Sequence, residues 1–318
     1  MICEETAALL QTAAEWQSGG TQTAVAVVAK TWNSAPRPVG ARMAVGEDGR
    51  FAGSVSGGCV EKEVIFAARE CMRDNACRLL SFGVADETAW REGLACGGGI
   101  EILTAPFPPA RSAARKEIAK LLAAIAKRKE CALQTCAKTG AVKFYKQADA
   151  PAAGFCGGVL TEHFPPRRRL FIIGATHIAQ ALAPLAAAAD FAPLVIDPRA
   201  AWAAESRFPN TPRKICWPQD ALQKIKWDRQ TALVALAHDP KIDDPALIAA
   251  LRGGAGYVGA LGSKQTHEKR RRRLMENGIG EELLARIHAP VGLDIGATTA
   301  GEIALSVAAQ LVSHYSRA

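Results

Sequence analysis

The sequence predicts an α/β protein in which a C-terminal, Rossmann-like, doubly wound parallel sheet follows a smaller N-terminal α+β domain. Three observations predict it. Short apolar runs at 170–173, 194–196, 232–237 and 257–261 alternate with helical stretches, the pattern of parallel strands joined by crossovers. The first run ends in Gly174-Ala175-Thr176-His177-Ile178-Ala179, a strand-to-helix turn of glycine-loop type. Upstream, a β-branched segment at 23–31 and a hairpin turn at Asp48-Gly49 announce strands of a different arrangement. At 318 residues the chain exceeds one typical domain, and the expected division is 1–107, a middle segment and linker 108–168, and 169–318.

In chain order, 3–16 reads as an amphipathic helix and 23–31 as a strand, broken by Pro36, Pro38 and Gly40. Residues 43–45 and 50–55 form the expected hairpin. A helix follows over 60–73, with Val64, Ile65, Ala68 and Met72 at helical spacing, then strands at 78–82 and 100–103. Ser112 caps a helix running to 127, and 133–135 and 142–145 read as short strands, with the packing of this middle stretch left open. The run 163–169, with Pro165-Pro166 and three arginines, reads as a linker. In the last part a helix at 178–189 should kink at Pro184, a fifth strand falls at 291–293, and Thr299 with Glu302 makes a capping box for a helix over 300–313.

Composition excludes several classes. There is no apolar run of eighteen residues, so no membrane span is expected. The start carries Glu4 and Glu5 without a basic flank, which does not read as a targeting peptide. Nine cysteines without a leader imply reduced thiols and a cytoplasmic location. The net charge of +8 suits an anionic ligand or partner. The basic run 269–273 lacks interleaved aromatics and reads as a solvated helix face, so no nucleic acid is expected. Neither a zinc-spaced ligand cluster nor a G-x-S-x-G elbow is present.

Two sets of residues carry candidate chemistry. In the glycine loop Gly174 and Ala179 fit the first and third small positions, whereas Thr176 narrows the phosphate approach at the second and offers a hydroxyl instead. Asp197 stands where a ribose-binding acid is expected, and His177, His238, Asp239, Gly262, Ser263 and Lys264 lie at strand ends, so a nucleotide is a candidate ligand of this crevice. The second set is Ser56-Gly57-Gly58-Cys59-Val60-Glu61 and Cys96-Gly97-Gly98-Gly99-Ile100-Glu101. Each puts a thiol beside consecutive glycines, and Cys59 opens a helix whose positive end favours a thiolate. Such thiols can carry sulfur or ligate a soft metal such as molybdenum. The remaining cysteines read as small core residues or plain surface thiols.

These segments, together with the Asn33-to-Met43 loop, resemble the first domain of XdhC/CoxI proteins. The second part is similar to their Rossmann-like domain through Ile196-Asp197-Pro198-Arg199, Arg207-Phe208-Pro209, Ala237-His238-Asp239-Pro240, the stretch 257–263 and the stretch 290–297. The family resemblance implies an accessory protein that binds and protects the molybdenum cofactor (molybdopterin), supports its sulfuration by a cysteine desulfurase, and delivers it to a xanthine dehydrogenase-type molybdoenzyme without turnover of its own. It implies Cys59 and Cys96 as cofactor, molybdenum or sulfur contacts, with Arg37 and Arg42 as partners of the pterin phosphate. A homodimer is an admissible assembly. Thr176 departs from the family's glycine. The alternatives are an NAD(P)-dependent oxidoreductase, supported by Gly174 and Asp197, and a scaffold that docks partner enzymes without a small ligand.

Overall fold

Strand alternation and turn residues organise the chain into two compact units, Met1–Pro166 and Arg167–Ala318. The computed structural model describes residues 2–83 and 98–316. The first unit contains α1 (Ile2–Ser18), β1 (Thr23–Trp32), β2 (Arg42–Gly46), β3 (Phe51–Gly53), α2 (Glu61–Asp74), β4 (Arg78–Phe82), β5 (Gly99–Pro106), α3 (Ala113–Ala126), β6 (Cys131–Cys136), β7 (Val142–Lys146), β8 (Gly154–Cys156) and β9 (Val159–Phe164). β1 to β5 form an antiparallel sheet in the order β3-β2-β1-β5-β4.

Because successive side chains of a strand face opposite ways, β1 serves two cores. Ala24, Ala26 and Val28 pack with Val64 and Ala68 of α2 and with Ile100 and Ile102. On other faces of the unit, Leu9, Leu10 and Ala13 of α1 join Ile118, Leu121 and Ala124 of α3, Leu133 of β6 and Phe164 of β9. The middle stretch therefore packs within the first unit, as a four-stranded antiparallel sheet β7-β6-β9-β8 with α3. His163 and Phe164 close β9, so only Pro165, Pro166 and Arg167 separate it from the next strand at Arg168.

The register of the five-stranded sheet fixes where its loops gather. Thr31 and Phe82 both pair with Ile100, and Met43 pairs with Gly53. β1, β3 and β4 thus end, and β2 and β5 begin, at one end of the sheet. The loop after β3, the loop after β1 and the entry to β5 all lie there.

The second unit contains β10 (Arg168–Ile173), α4 (His177–Ala188), β11 (Phe191–Ile196), β12 (Arg213–Lys214), α5 (Pro218–Leu222), β13 (Thr231–Ala235), α6 (Pro240–Gly253), β14 (Tyr257–Ala260), α7 (Lys264–Glu276), α8 (Glu281–Leu284), β15 (Ile287–His288) and α9 (Ala300–Ser316). Its six strands are all parallel, ordered β12-β11-β10-β13-β14-β15. Leu170 and Ile172 pack among residues of α4 and α9, while Phe171 and Ile173 pack among residues of α6. The strand order reverses between β10 and β13, the place where such sheets take ligands.

One local expectation is corrected. The last strand is Ile287–His288 rather than 291–293: Pro290 has no amide to donate, and only Val291 N reaches back, to Ala260 O at 3.2 Å. The helix expected at 178–189 spans His177–Ala188 and carries Pro184 on its exposed side. The capping box forms as expected, with Thr299 Oγ1 accepting from Glu302 N and the Glu302 carboxylate accepting from Thr299 N at 2.9 Å. Among the described residues no helix is long and apolar enough to cross a membrane.

Candidate functional site

The loop after β3 is built around a carboxylate. Glu61, the first residue of α2, turns its side chain back and accepts from Ser54 Oγ (2.7 Å), Ser56 N (3.0 Å), Gly57 N (3.1 Å), Gly58 N (2.8 Å) and the Ser56 hydroxyl. Ser56 Oγ in turn accepts from Cys59 N and Val60 N, both at 3.0 Å. Partial burial opposes the charge on Glu61, but the hydroxyls of Ser56 and Ser54 and the amides of Ser56 and Gly58 outweigh it and hold the carboxyl at about 2. The positive end of α2, expected to act on Cys59, is thus already answered by Glu61.

With its amides drawn inward, the loop leaves an open outer side. Gly57 and Gly58 have φ of 82° and 120°, and a Cβ on either would meet nothing among the described residues within 4 Å. Cys59 follows, half-buried, its side chain resting against the core under α2. In the sequence motif Glu61 stands out by position alone. The signal of its role is its nearness in sequence to the hydroxyls of Ser54 and Ser56 and the amides of Gly57 and Gly58.

We expect Glu61→Gln to destabilise the chain by about 1–2 kcal/mol, allowing for solvent screening of a partly exposed group. The sign follows from a depressed pKa: the wild-type advantage is complete above the ordinary carboxyl value of 4.5 and is lost as pH falls towards about 2. Urea unfolding of both proteins at pH 7 and pH 3 measures it, and equal stability at pH 7 contradicts the assignment.

Cys96 and Gly97 lie outside the described residues. Gly98 is described and buried: a Cβ there would fall 2.2 Å from Ser34 O, so its backbone lies directly on the loop after β1. Arg37 in that loop and Arg42, which opens β2, are the two arginines expected to meet a phosphate. Arg37 forms an ion pair with Glu5. Arg42 is turned inward, 4% exposed, donating from Nη2 to Glu162 Oε2 (2.5 Å) and from Nη1 to Thr6 Oγ1 (3.0 Å) and Gly40 O (2.9 Å). Its guanidinium is spent on these three internal acceptors, which corrects its expected role as a phosphate partner.

In the second unit, the Gly174 turn abuts the end of β13 so closely that a Cβ on Gly174 would lie 2.6 Å from Ala237 N. Asp197, fully buried, props this turn. Its Oδ2 accepts from Ala175 N (2.7 Å) and Arg199 Nη2 (2.6 Å), and its Oδ1 from Arg199 N and Nε (both 2.9 Å). Burial works against its charge, yet these donors prevail and hold its carboxyl below the usual range. Both oxygens are occupied and sealed, so Asp197 is a structural strut and not a ribose ligand. Thr176 caps α4, accepting from Ala179 N at 3.3 Å, and His177 beside it is exposed.

His238, exposed with φ of 60°, and Asp239, which caps α6 through Lys241 N (2.9 Å), close the loop after β13. Gly262 and Ser263 precede α7, and Ser263 caps it through Thr266 N (3.2 Å). The structure shows further basic side chains at this end. Arg199 stacks on Trp202 at 4.3 Å, and Arg207 bonds to neutral acceptors, Ala175 O, Trp202 O and Gln180 Oε1. Among the described residues no three His, Cys, Asp or Glu side chains are grouped to hold a metal ion, and the eight described cysteines are free thiols.

Fold and site define a two-unit α/β protein that joins a glycine-flanked thiol loop to a Rossmann sheet with a tightly closed glycine turn. Comparison with known proteins agrees: the XdhC Rossmann domain model matches residues 170–311, and the XdhC and CoxI family model matches residues 16–83. The chain belongs to the XdhC and CoxI family. It is 33% identical over 313 residues to the molybdenum cofactor insertion chaperone PaoD of Escherichia coli, covering 96% of this chain and 87% of that protein. It is 27% identical over 319 residues to a probable xanthine dehydrogenase subunit of Bacillus subtilis, covering 91% of this chain and 92% of that one. A solved chain described as a xanthine dehydrogenase from Bacillus halodurans shares the fold, with a TM-score of 0.78 at 22% identity over 97% of this chain and 96% of that one.

Proposed function

We propose that this chain is an accessory protein that binds the molybdenum cofactor, protects it, supports its sulfuration by a cysteine desulfurase, and delivers it to a xanthine dehydrogenase-type molybdoenzyme. The observation that carries the reading is the Gly57-Gly58-Cys59 loop. A half-buried thiol follows two glycines whose outer side is open among the described residues, with Glu61 holding their amides from behind, and this supports approach of a bulky ligand next to the sulfur. Soft thiolate suits molybdenum or a transferable sulfur atom. The cofactor insertion role named for the E. coli relative supports the same reading.

In this proposal Cys59 is the described contact, and Cys96, two residues before Gly98, is the second thiol on sequence grounds. Arg42 takes no part. The proposal places the chain in the cytoplasm, admits a homodimer, and involves neither membrane nor nucleic acid. A chain that only holds and hands over its ligand needs no acid–base set. An NAD(P)-dependent oxidoreductase is disfavoured because Asp197 is sealed and Thr176 caps its own helix.

The test is pterin retention. The wild-type chain loaded with molybdopterin should keep near-stoichiometric pterin through gel filtration. Cys59→Ala should retain about tenfold less, equivalent to roughly 1.4 kcal/mol. Full retention in both Cys59→Ala and Cys96→Ala removes the thiols from the site.

A further inference from the structure

α7 is the most basic helix of the second unit, with Lys264, Lys269 and arginines at 270 to 273. Its first turn carries Lys264 and no acid, the reverse of what the helix dipole favours. Ser263 satisfies the Thr266 amide, and the amides of Lys264 and Gln265 have no partner within the helix.

Behind that end lies Arg270, 2% exposed. Its Nη2 donates to Leu261 O at 2.8 Å, immediately before the helix, so the guanidinium is turned back towards the helix start. Among the described residues its Nε and Nη1 are buried without a hydrogen-bond partner, and so is Nδ1 of His267, one turn earlier on the same face. Arg271, Arg272 and Arg273 each have a carboxylate within 4.0 Å. Among the described residues Arg270 has none. Asp243 and Asp244 act on it through space only: Asp244 is bonded to Arg273, and Asp243 accepts from Ala237 N while burial pushes its carboxyl up to about 7.

Buried polar nitrogens without a hydrogen-bond partner are rare in native proteins, because each forfeits a bond it makes in water. Here two guanidinium nitrogens and one ring nitrogen lie on one face of a helix whose start is cationic and free of acid. The place is the C-terminal end of β14, where parallel sheets take ligands.

We infer that the start of α7, with Gly262, Ser263, Lys264, His267 and Arg270, is a binding site for a tetrahedral oxyanion, the phosphate group of a phosphate ester. An acceptor-rich dianion supplies partners for Arg270 and His267 and fits the free amides of the first turn. The inference goes beyond the proposed function and does not depend on the Cys59 loop.

The experiment titrates the full-length chain calorimetrically with inorganic phosphate. Saturable binding is expected, weakened about tenfold by loss of the charge-assisted bonds in Arg270→Gln. Gln265→Glu, at an exposed first-turn position, puts a negative charge at the helix start that competes with an anion there. It should weaken phosphate by a similar factor while leaving the circular dichroism unchanged, because an acid favours a helix start. If Arg270→Gln fails to fold, Gln265→Glu decides alone. Absence of saturable binding by the wild type, or unchanged affinity in Gln265→Glu, overturns the inference. Competition by a nucleoside monophosphate against a pterin-type phosphate ester shows which ester occupies the site. Pterin retention at Cys59 is measured separately, so either idea can fail without the other.

Discussion

Replacing Arg42 with methionine is expected to lower the unfolding free energy of the chain by about 3–5 kcal/mol, the usual cost of stranding one partner of a buried ion pair. Both side chains of the Arg42–Glu162 pair are 5% exposed, and the second oxygen of Glu162 has no partner. Burial already pushes the Glu162 carboxyl above its ordinary range against the pull of Arg42, so removing the guanidinium leaves an acid that can only take up a proton. Arg42 opens β2, and Glu162 belongs to β9 of the other sheet in the unit, so the loss uncouples two layers. A double change, Arg42→Met with Glu162→Leu, should recover most of the stability, since apolar pairs of similar volume often replace buried ion pairs without loss. Denaturant unfolding of the three proteins measures this. A single mutant within about 1 kcal/mol of wild type would show that the pair is dispensable.

The second large effect is expected at Gly174. Its φ of 96° is unfavourable for any other residue, and an added methyl would lie 2.6 Å from Ala237 N and 2.7 Å from Ala237 Cα. Backbone strain of about 1–2 kcal/mol adds to an overpacking cost of about 1–3 kcal/mol, so Gly174→Ala should cost roughly 3 kcal/mol. Hydrogen exchange localises the damage: amides of β10, α4 and β13 should lose protection while those of β1 and β5 keep theirs. Unchanged exchange in β13 would mean that the two strand ends do not press on each other as described.

Local signals make much of the fold readable. The β-branched run in β1, the helical spacing of α2 and the apolar strands β10, β11, β13 and β14 all carry their periodicity in consecutive residues. What stays hidden depends on distant partners or on very short elements. Cys156 also precedes two glycines, and only the strand pairing shows that Gly157 and Gly158 make the turn of the β8–β9 hairpin, with Cys156 paired to Val159. β12 and β15 are two residues each, too short for any period to register.

The candidate site divides along the same line. Ser54, Ser56 and Glu61 lie within eight residues, so their network is within reach of the local sequence. Asp197 and Arg199 are two apart, so their mutual bond is within reach of the sequence and competes there with the ribose role. Arg42 finds Glu162 across 120 residues, and no local pattern reports such a pair. Arg270 sits in a run of basic residues that reads as a solvated face, and only the packed helix shows which of the four points inward.

Because the chain supplies its own anion to the segment before α2, that segment is ordered from within. Under the proposed function, filling and emptying should leave the backbone equally rigid, so neither arrival nor departure of the cofactor would be burdened by a loop freezing or melting. A carrier made this way would let go in full contact with a recipient and be ready at once for the next load.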